Sequence, residues 1–278
     1  MNIAQRIDEV LRHKARKVRF TTLALLRQTM YEFVAFFENR GVTDSAVLTN
    51  SHVLALLGSW KYADSTEVIR TRQIRFFLRK LDRDDLAKEV EMPKWTAEGK
   101  QRRRPRPYTD DEIERFRAVA DPKSELFFVT SIMTGLAVAD LVRLSTEHLR
   151  DGCVRIRRQK TGKECIIPIS PELFNQLKVA LPFYTPTRAS DKRAWIAGAQ
   201  LWSERIRVMQ QKASIWQKGS LVHHGRDSFV ERQLVAGVPL SVIAARLGDL
   251  PVTVQTHYAD LLSNKMIDLN LGQPVVTL

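Results

Sequence analysis

Cys153-Val-Arg-Ile-Arg-Arg-Gln-Lys-Thr-Gly-Lys-Glu-Cys-Ile-Ile-Pro-Ile169 is the stretch of this chain that reads as extended rather than helical. Two β-rich runs, Cys153–Ile156 and Glu164–Ile169, flank a polar turn at Gln159–Lys163 that contains Gly162, and together they predict a hairpin. On its N-terminal side, Leu126–Leu144 is helical twice over, with a break at Thr134-Gly135. Before that, Thr109-Asp-Asp-Glu112 supplies a capping residue and an acidic first turn for a helix ending near Ala120. On the C-terminal side, helices are expected over Pro171–Ala180, Ala197–Ala213, Arg226–Ala236 and Leu240–Leu247, with a stop at Gly237-Val-Pro239 and a short segment leading to Tyr258. A single hairpin among helices gives the fold class: mainly α with a small antiparallel β-sheet.

The first hundred residues carry no strand signal. Thr22–Arg40 places Leu25, Leu26, Thr29, Met30, Phe33, Phe36 and Phe37 at three- and four-residue spacing, with Gly41 as a stop. Asn50–Trp60 is a shorter helix, and Ser65–Leu81 a third, apolar at Val68, Ile69, Ile74, Phe77, Leu78 and Leu81. The polar side of that third helix carries Arg70, Arg72, Arg75, Arg79 and Lys80, a set equally readable as a solvated face or as a phosphate-contacting one. The same sign continues through Lys100, Arg102, Arg103, Arg104 and Arg106, which tips the reading towards phosphate contact. Pro105 and Pro107 prevent helix propagation there, so the run is an exposed linker; a nuclear-localisation-like segment is the competing reading. The expected division is a helical domain over 1–98, a basic linker over 99–107 and a second domain over 108–278.

Composition narrows the function. The 278 residues hold 44 Lys+Arg against 31 Asp+Glu, a formal charge of +13, of which +9 lies in the residues up to Pro107 and +4 after it. Such an excess calls for a polyanionic partner. With 44% hydrophobic and 27% charged residues, the chain is neither a disordered basic tail nor collagen-like. Two cysteines, Cys153 and Cys165, are too few for a disulfide scaffold or a cysteine-based zinc site, and read as two buried apolar residues in a reducing compartment. No run of about 18 apolar residues occurs, and the N-terminus lacks a continuous apolar core, so neither a membrane span nor a secretory signal is expected.

Three pieces of the second half bear reactive groups. Lys160 sits in the hairpin turn, where a lysine is ordinarily solvated. His223-His-Gly-Arg226, followed by Asp227, stands at an expected helix start, whose free amides and positive potential suit an anion. Tyr258 closes Val252-Thr-Val-Gln-Thr-His-Tyr258 and alone would read as a half-buried core residue.

Taken in order, Thr134-Gly-Leu-Ala-Val-Ala-Asp-Leu-Val-Arg-Leu144, Gln159-Lys-Thr-Gly162, His223-x-x-Arg226-Asp-Ser-Phe, Leu234-Val-Ala-Gly-Val-Pro-Leu240, Leu247-Gly-Asp and Tyr258 resemble the tyrosine recombinase (phage integrase) family across the whole second domain. The N-terminal helices and basic linker are similar to that family's SAM-like core-binding domain. The resemblance implies a clamp on double-stranded DNA and strand exchange by a homotetramer on two sites, with no cofactor, no metal and no membrane. Accessory DNA-bending proteins, a mobile-element setting and a cytoplasmic, nucleoid-associated location go with it. It further implies that Tyr258 attacks a backbone phosphorus to form a 3′-phosphotyrosyl link. Lys160 would protonate the departing 5′ oxygen, Arg226 would hold the non-bridging oxygens, and His223 would assist proton transfer. Fixed cations of this kind stabilise a phosphodiester in flight and render a phenol of reference pKa about 10 useful as a nucleophile.

Two positions depart from the family pattern. Ala137 stands where the family carries an arginine, and loss of one such contact costs roughly 2.7–4 kcal/mol of transition-state stabilisation. Asp249 stands where the family usually has histidine. Arg158, two residues before Lys160, is the candidate substitute arginine, on the expectation that continuing strand geometry turns both side chains to one face. Arg157 would face the other way. Beside a recombinase cutting and rejoining duplex DNA (integration, excision, inversion or resolution), two alternatives stand: a weakened or inactive site-specific DNA-binding protein of the same fold, and a relaxase-like single-strand nickase.

Overall fold

The computed structural model describes residues 1–15, 18, 20–62, 64–93, 106–188, 191–216, 221–259 and 261. The chain divides into two compact units, Met1–Arg102 and Arg103–Leu278.

The first unit is helical: α1 (Ile3–Ala15), α2 (Phe20–Glu38), α3 (Asn50–Gly58), α4 (Asp64–Lys80) and α5 (Asp84–Glu89). The apolar spacing of α2 buries Met30, Phe33 and Phe37 completely, and α4 answers with Ile74, Phe77 and Leu78. Each such side chain contributes about 1.5–3 kcal/mol by leaving water. Sequence reading passed over α1, where Ile3, Ile7, Val10 and Leu11 form a narrow buried stripe among charges, and α5, too short to show a period. Arg70 leaves the exposed basic face: it is 3% exposed, ion-paired with Glu32 and seated 4.1 Å over the Tyr62 ring. Arg72, Arg79 and Lys80 are exposed, while Arg75 donates from Nε to the Ala87 carbonyl at 3.1 Å.

The second unit runs α6 (Asp110–Val119), α7 (Pro122–Thr134), α8 (Val138–Leu141), β1 (Leu149–Arg150), β2 (Cys153–Arg157), β3 (Glu164–Pro168), α9 (Pro171–Ala180), α10 (Lys192–Lys212), α11 (Leu221–Val235) and α12 (Leu240–Leu247), followed by a helical run, α13, over 251–259. The expected cap at Thr109 is present as a reciprocal capping box with Glu112. Asp121 and Pro122 open α7, and Gly135, left-handed at φ 62°, closes it. The hairpin is there, with Val154 opposite Ile167 and Ile156 opposite Cys165, and β1 adds a third antiparallel strand. Val154, Ile156, Cys165 and Ile167 face the core; Cys153 is only partly buried, against expectation.

Two boundaries differ in ways that matter. Helix α10 starts at Lys192, a turn before the expected Ala197. Helix α11 starts at Leu221 rather than Arg226, and Gly225 lies within it. A Cβ there would lie 2.5 Å from Ser131 Oγ, so the glycine lets α11 pack closely against α7. Tyr258, expected in a short connecting segment, lies on α13.

Candidate active site

Helix α12 ends at Leu247 because Gly248 takes a left-handed conformation, φ 63°. Its amide bonds back to the Ala245 carbonyl and that of Asp249 to Ala244. The Leu247 carbonyl is thereby left at the negative end of the helix, where cations are favoured. Two guanidinium groups take it. Arg226 Nη2 donates to it at 3.4 Å, and Arg158 Nη1 donates to the same oxygen.

Arg226, 9% exposed, lies inside α11, more than a turn past its start. The expectation that Arg226 stands at a helix start, beside free amides that suit an anion, is therefore corrected: its surroundings are carbonyls and a carboxylate. Nη1 donates to the Gly135 carbonyl at 3.1 Å, tying α11 to the turn that precedes Ala137, and Nη2 forms an ion pair with Asp249 Oδ2. Asp249 is thus turned onto the arginine, not away from it; its side chain retains 28% exposure against 11% for that of Arg226. Lys163 Nζ reaches the Asp249 carbonyl at 3.4 Å.

Arg158 is 6% exposed and continues the inward face of β2 beyond Ile156. The strand ends at Arg157, and Gln159 and Lys160 form the turn, so the expected shared face fails: Arg158 points in and Lys160 is exposed. Arg157, as expected, faces outward. Arg158 Nε lies 2.6 Å from Asp140 Oδ2, a close ion pair short of an aligned hydrogen bond. The other Asp140 oxygen accepts the Gln159 amide at 2.7 Å, so one carboxylate on α8 anchors both Arg158 and the base of the Lys160 turn. Gly248 is what lets Arg158 pass: a Cβ there would sit 2.8 Å from Arg158 Cγ and 2.7 Å from Cys165 Sγ. Burial pushes the Cys165 thiol up from its ordinary value.

Asp140, within the Thr134–Leu144 run, is a functional residue that the motif pattern does not single out. Its signal was visible: an acid among Leu136, Val138, Leu141 and Leu144 must be buried, and a buried acid needs a partner. Ala137 is partly exposed and caps α8 with no side-chain hydrogen bond. Tyr258 is buried, 7% exposed, in the same core cluster as Leu247 and Val254.

His223 lies on α11, its side chain outside the described residues, as are Lys100, Arg102, Arg103 and Arg104. Arg106 is tethered: its amide donates to Asp227 Oδ2 at 2.9 Å and its guanidinium pairs with Glu112. Next to it, burial raises the Tyr108 phenol well above its ordinary value. Among the described residues there is no cluster of potential metal ligands, and no helix is long and apolar enough to cross a membrane. A cleft of about 1150 Å³ between α7 and α9, lined by Leu126, Val129, Met133, Leu173 and Val179, contains none of these site residues.

No protein-family model and no curated relative matches the chain. Solved structures do. A lambda integrase fragment bound to DNA matches at TM-score 0.65 and 16% identity over 89% of this chain and 91% of that one. A lambda integrase tetramer bound to a Holliday junction matches at 0.61 and 18%, over 90% and 74%. The integrase of the Tn1549 transposon, in complex with a circular intermediate DNA, matches at 0.62 and 15%, over 96% and 99%. A mainly helical chain with a three-stranded antiparallel sheet, it shares the fold of these tyrosine recombinases.

Proposed function

We propose that the chain is a site-specific DNA recombinase of the tyrosine type, acting on duplex DNA as a homotetramer. The observation that carries the reading is the convergence of Arg226 and Arg158 on the Leu247 carbonyl, within the fold of DNA-bound integrases. In this reading Tyr258 Oη attacks the phosphorus and the 5′ oxygen leaves with a proton from Lys160. Negative charge accumulating on the non-bridging oxygens meets guanidinium groups already held in place, so little reorganisation is needed. His223 assists from α11. Arg158, beside Arg226, is the group that compensates for Ala137, and the exposed Arg72, Arg79 and Lys80 contribute phosphate contacts that position the duplex without reading it.

The test is incubation with nicked site DNA and separation on a denaturing gel. A covalent adduct that disappears in Tyr258→Phe supports the enzyme. Wild-type adduct yield in Arg158→Ala removes Arg158 from the reaction. A second reading, a DNA-binding protein without strand cleavage, is favoured by one observation: each guanidinium is already paired, Arg226 with Asp249 and Arg158 with Asp140. Tight binding with no adduct would select it.

A further inference from the structure

We propose that Asp249 is an internal anion that occupies the phosphate-facing edge of Arg226 and must be displaced when a phosphodiester enters. The inference rests on the reading of Arg226 as the phosphate-binding arginine. Its inner donor, Nη1, is spent on the Gly135 carbonyl, and Nη2 on the Leu247 carbonyl and the Asp249 carboxylate. The two carbonyls belong to the ends of α7 and α12 and form part of the packed unit. The carboxylate does not: Asp249 lies beyond the helix, its side chain more than twice as exposed as that of its partner. Of the three acceptors on Arg226, it is the one that can leave without unpicking a helix end.

Chemically, a carboxylate and a phosphodiester compete for the same donor, Nη2, and both cannot hold it at once without placing two anions in contact. Gly248 makes the exchange feasible, since the chain on the N-terminal side of Asp249 is a left-handed cap rather than a helical turn. Lys163, whose ammonium reaches the Asp249 carbonyl, lies on the hairpin that also carries Lys160. Entry of a phosphate at Arg226 is thereby linked to the segment on which Lys160 stands. The free protein is a resting form with its principal arginine neutralised, and the polyanion itself supplies the displacing charge.

The experiment uses the full chain and inorganic phosphate, followed by phosphorus NMR line-broadening and by the melting temperature. A tethered competitor occupying Arg226 nine-tenths of the time weakens an external anion about tenfold. Asp249→Asn, with Asp249→Ala as a second variant, is therefore expected to bind phosphate about tenfold more tightly than wild type. Asp249→Asn/Arg226→Ala, which restores the wild-type net charge, is expected to lose the gain. Asp151→Asn removes the same charge from an exposed turn and is expected to behave as wild type. Equal phosphate binding in wild type and Asp249→Asn, or a gain that survives Arg226→Ala, overturns the proposal. Adduct formation assayed in parallel separates the two readings. A phosphate gain with no adduct in any variant upholds the latch and overturns strand cleavage, whereas adduct without a phosphate gain overturns the latch alone.

Discussion

Asp140→Ala is the substitution for which the structure sets the largest penalty. The carboxylate is 1% exposed; one oxygen lies 2.6 Å from Arg158 Nε and the other accepts the Gln159 amide at 2.7 Å. Removing it leaves a guanidinium buried without its counter-charge, which costs about 3–5 kcal/mol. The orphaned Gln159 amide adds about 1 kcal/mol or more. The sum, at least about 4 kcal/mol, is a large share of the roughly 5–15 kcal/mol that holds a domain folded. For a unit of this size, it corresponds to a fall in melting temperature of roughly 8–16 °C. Arg158→Met should cost a similar amount, by stranding the acid instead. Asp140→Ala/Arg158→Met removes both charges together, so it should cost well under the sum of its parts. Urea unfolding followed by circular dichroism measures all four corners of the cycle, with an unchanged denaturant slope confirming that the unfolded state is comparable. The reasoning fails if Asp140→Ala lies within about 1 kcal/mol of wild type, or if the double substitution is additive.

Gly248→Ala places a methyl 2.7 Å from Cys165 Sγ in a left-handed conformation, so conformational strain of about 1–2 kcal/mol adds to overpacking of about 1–3 kcal/mol, read as a lowered melting temperature. At Asp121 burial pushes the carboxyl up, but hydrogen bonds from Arg205 and Ser124 outweigh it and hold the group down at about 2, against an ordinary 3.8. A pKa depressed in the folded state means that the stabilisation is complete above pH 4 and is lost as pH falls towards 2; melting profiles of Asp121→Asn should be flatter than wild type across that window. Arg70→Ala should destabilise the first unit by about 0.5–3 kcal/mol, chiefly through the packing lost beneath Tyr62, because the Glu32 side chain is 36% exposed and water can take the place of its partner. Arg72→Ala and Arg79→Ala should leave stability within about 0.5 kcal/mol and instead lower DNA affinity, each reducing the salt slope by about 0.9.

How much of this could be read from residues follows from where each signal resides. Apolar spacing gave α2, α4 and α12 because their buried faces are built from the helix's own period. The hairpin was legible from β-rich runs around Gly162, and the α6 cap from Thr109 and Glu112. The start of α11 was not legible, because what favours a glycine at position 225 is the approach of Ser131 from α7, a tertiary contact with no local signature. Arg158 shares no face with Lys160, because the strand on which that expectation rests stops one residue before it; that it meets Arg226 at the Leu247 carbonyl depends on where α12 ends, which no local spacing shows. Arg70 could not be told from Arg72 by sequence, because only the tertiary position of Glu32 and Tyr62 makes one of them internal.

The two departures at the site, Ala137 and Asp249, have a common consequence once the ion pairs are known. Arg226 and Arg158 are matched one for one by Asp249 and Asp140, so this inner cluster is neutral while the chain around it carries +13. An arginine at position 137 would tip the cluster positive and make a waiting anion hole; alanine there removes that charge, and Asp249 cancels part of what remains. The two acids are not equivalent, however. Asp140 is fully enclosed and holds the hairpin as well as Arg158, whereas Asp249 is part-exposed and holds only its arginine through its side chain. Of the two counter-ions, Asp249 is therefore the one that can move aside for a phosphate. On the proposed function, the excess of basic residues elsewhere would bring the polyanion to the protein, and the local balance at Arg226 would decide whether a single phosphate from it is held.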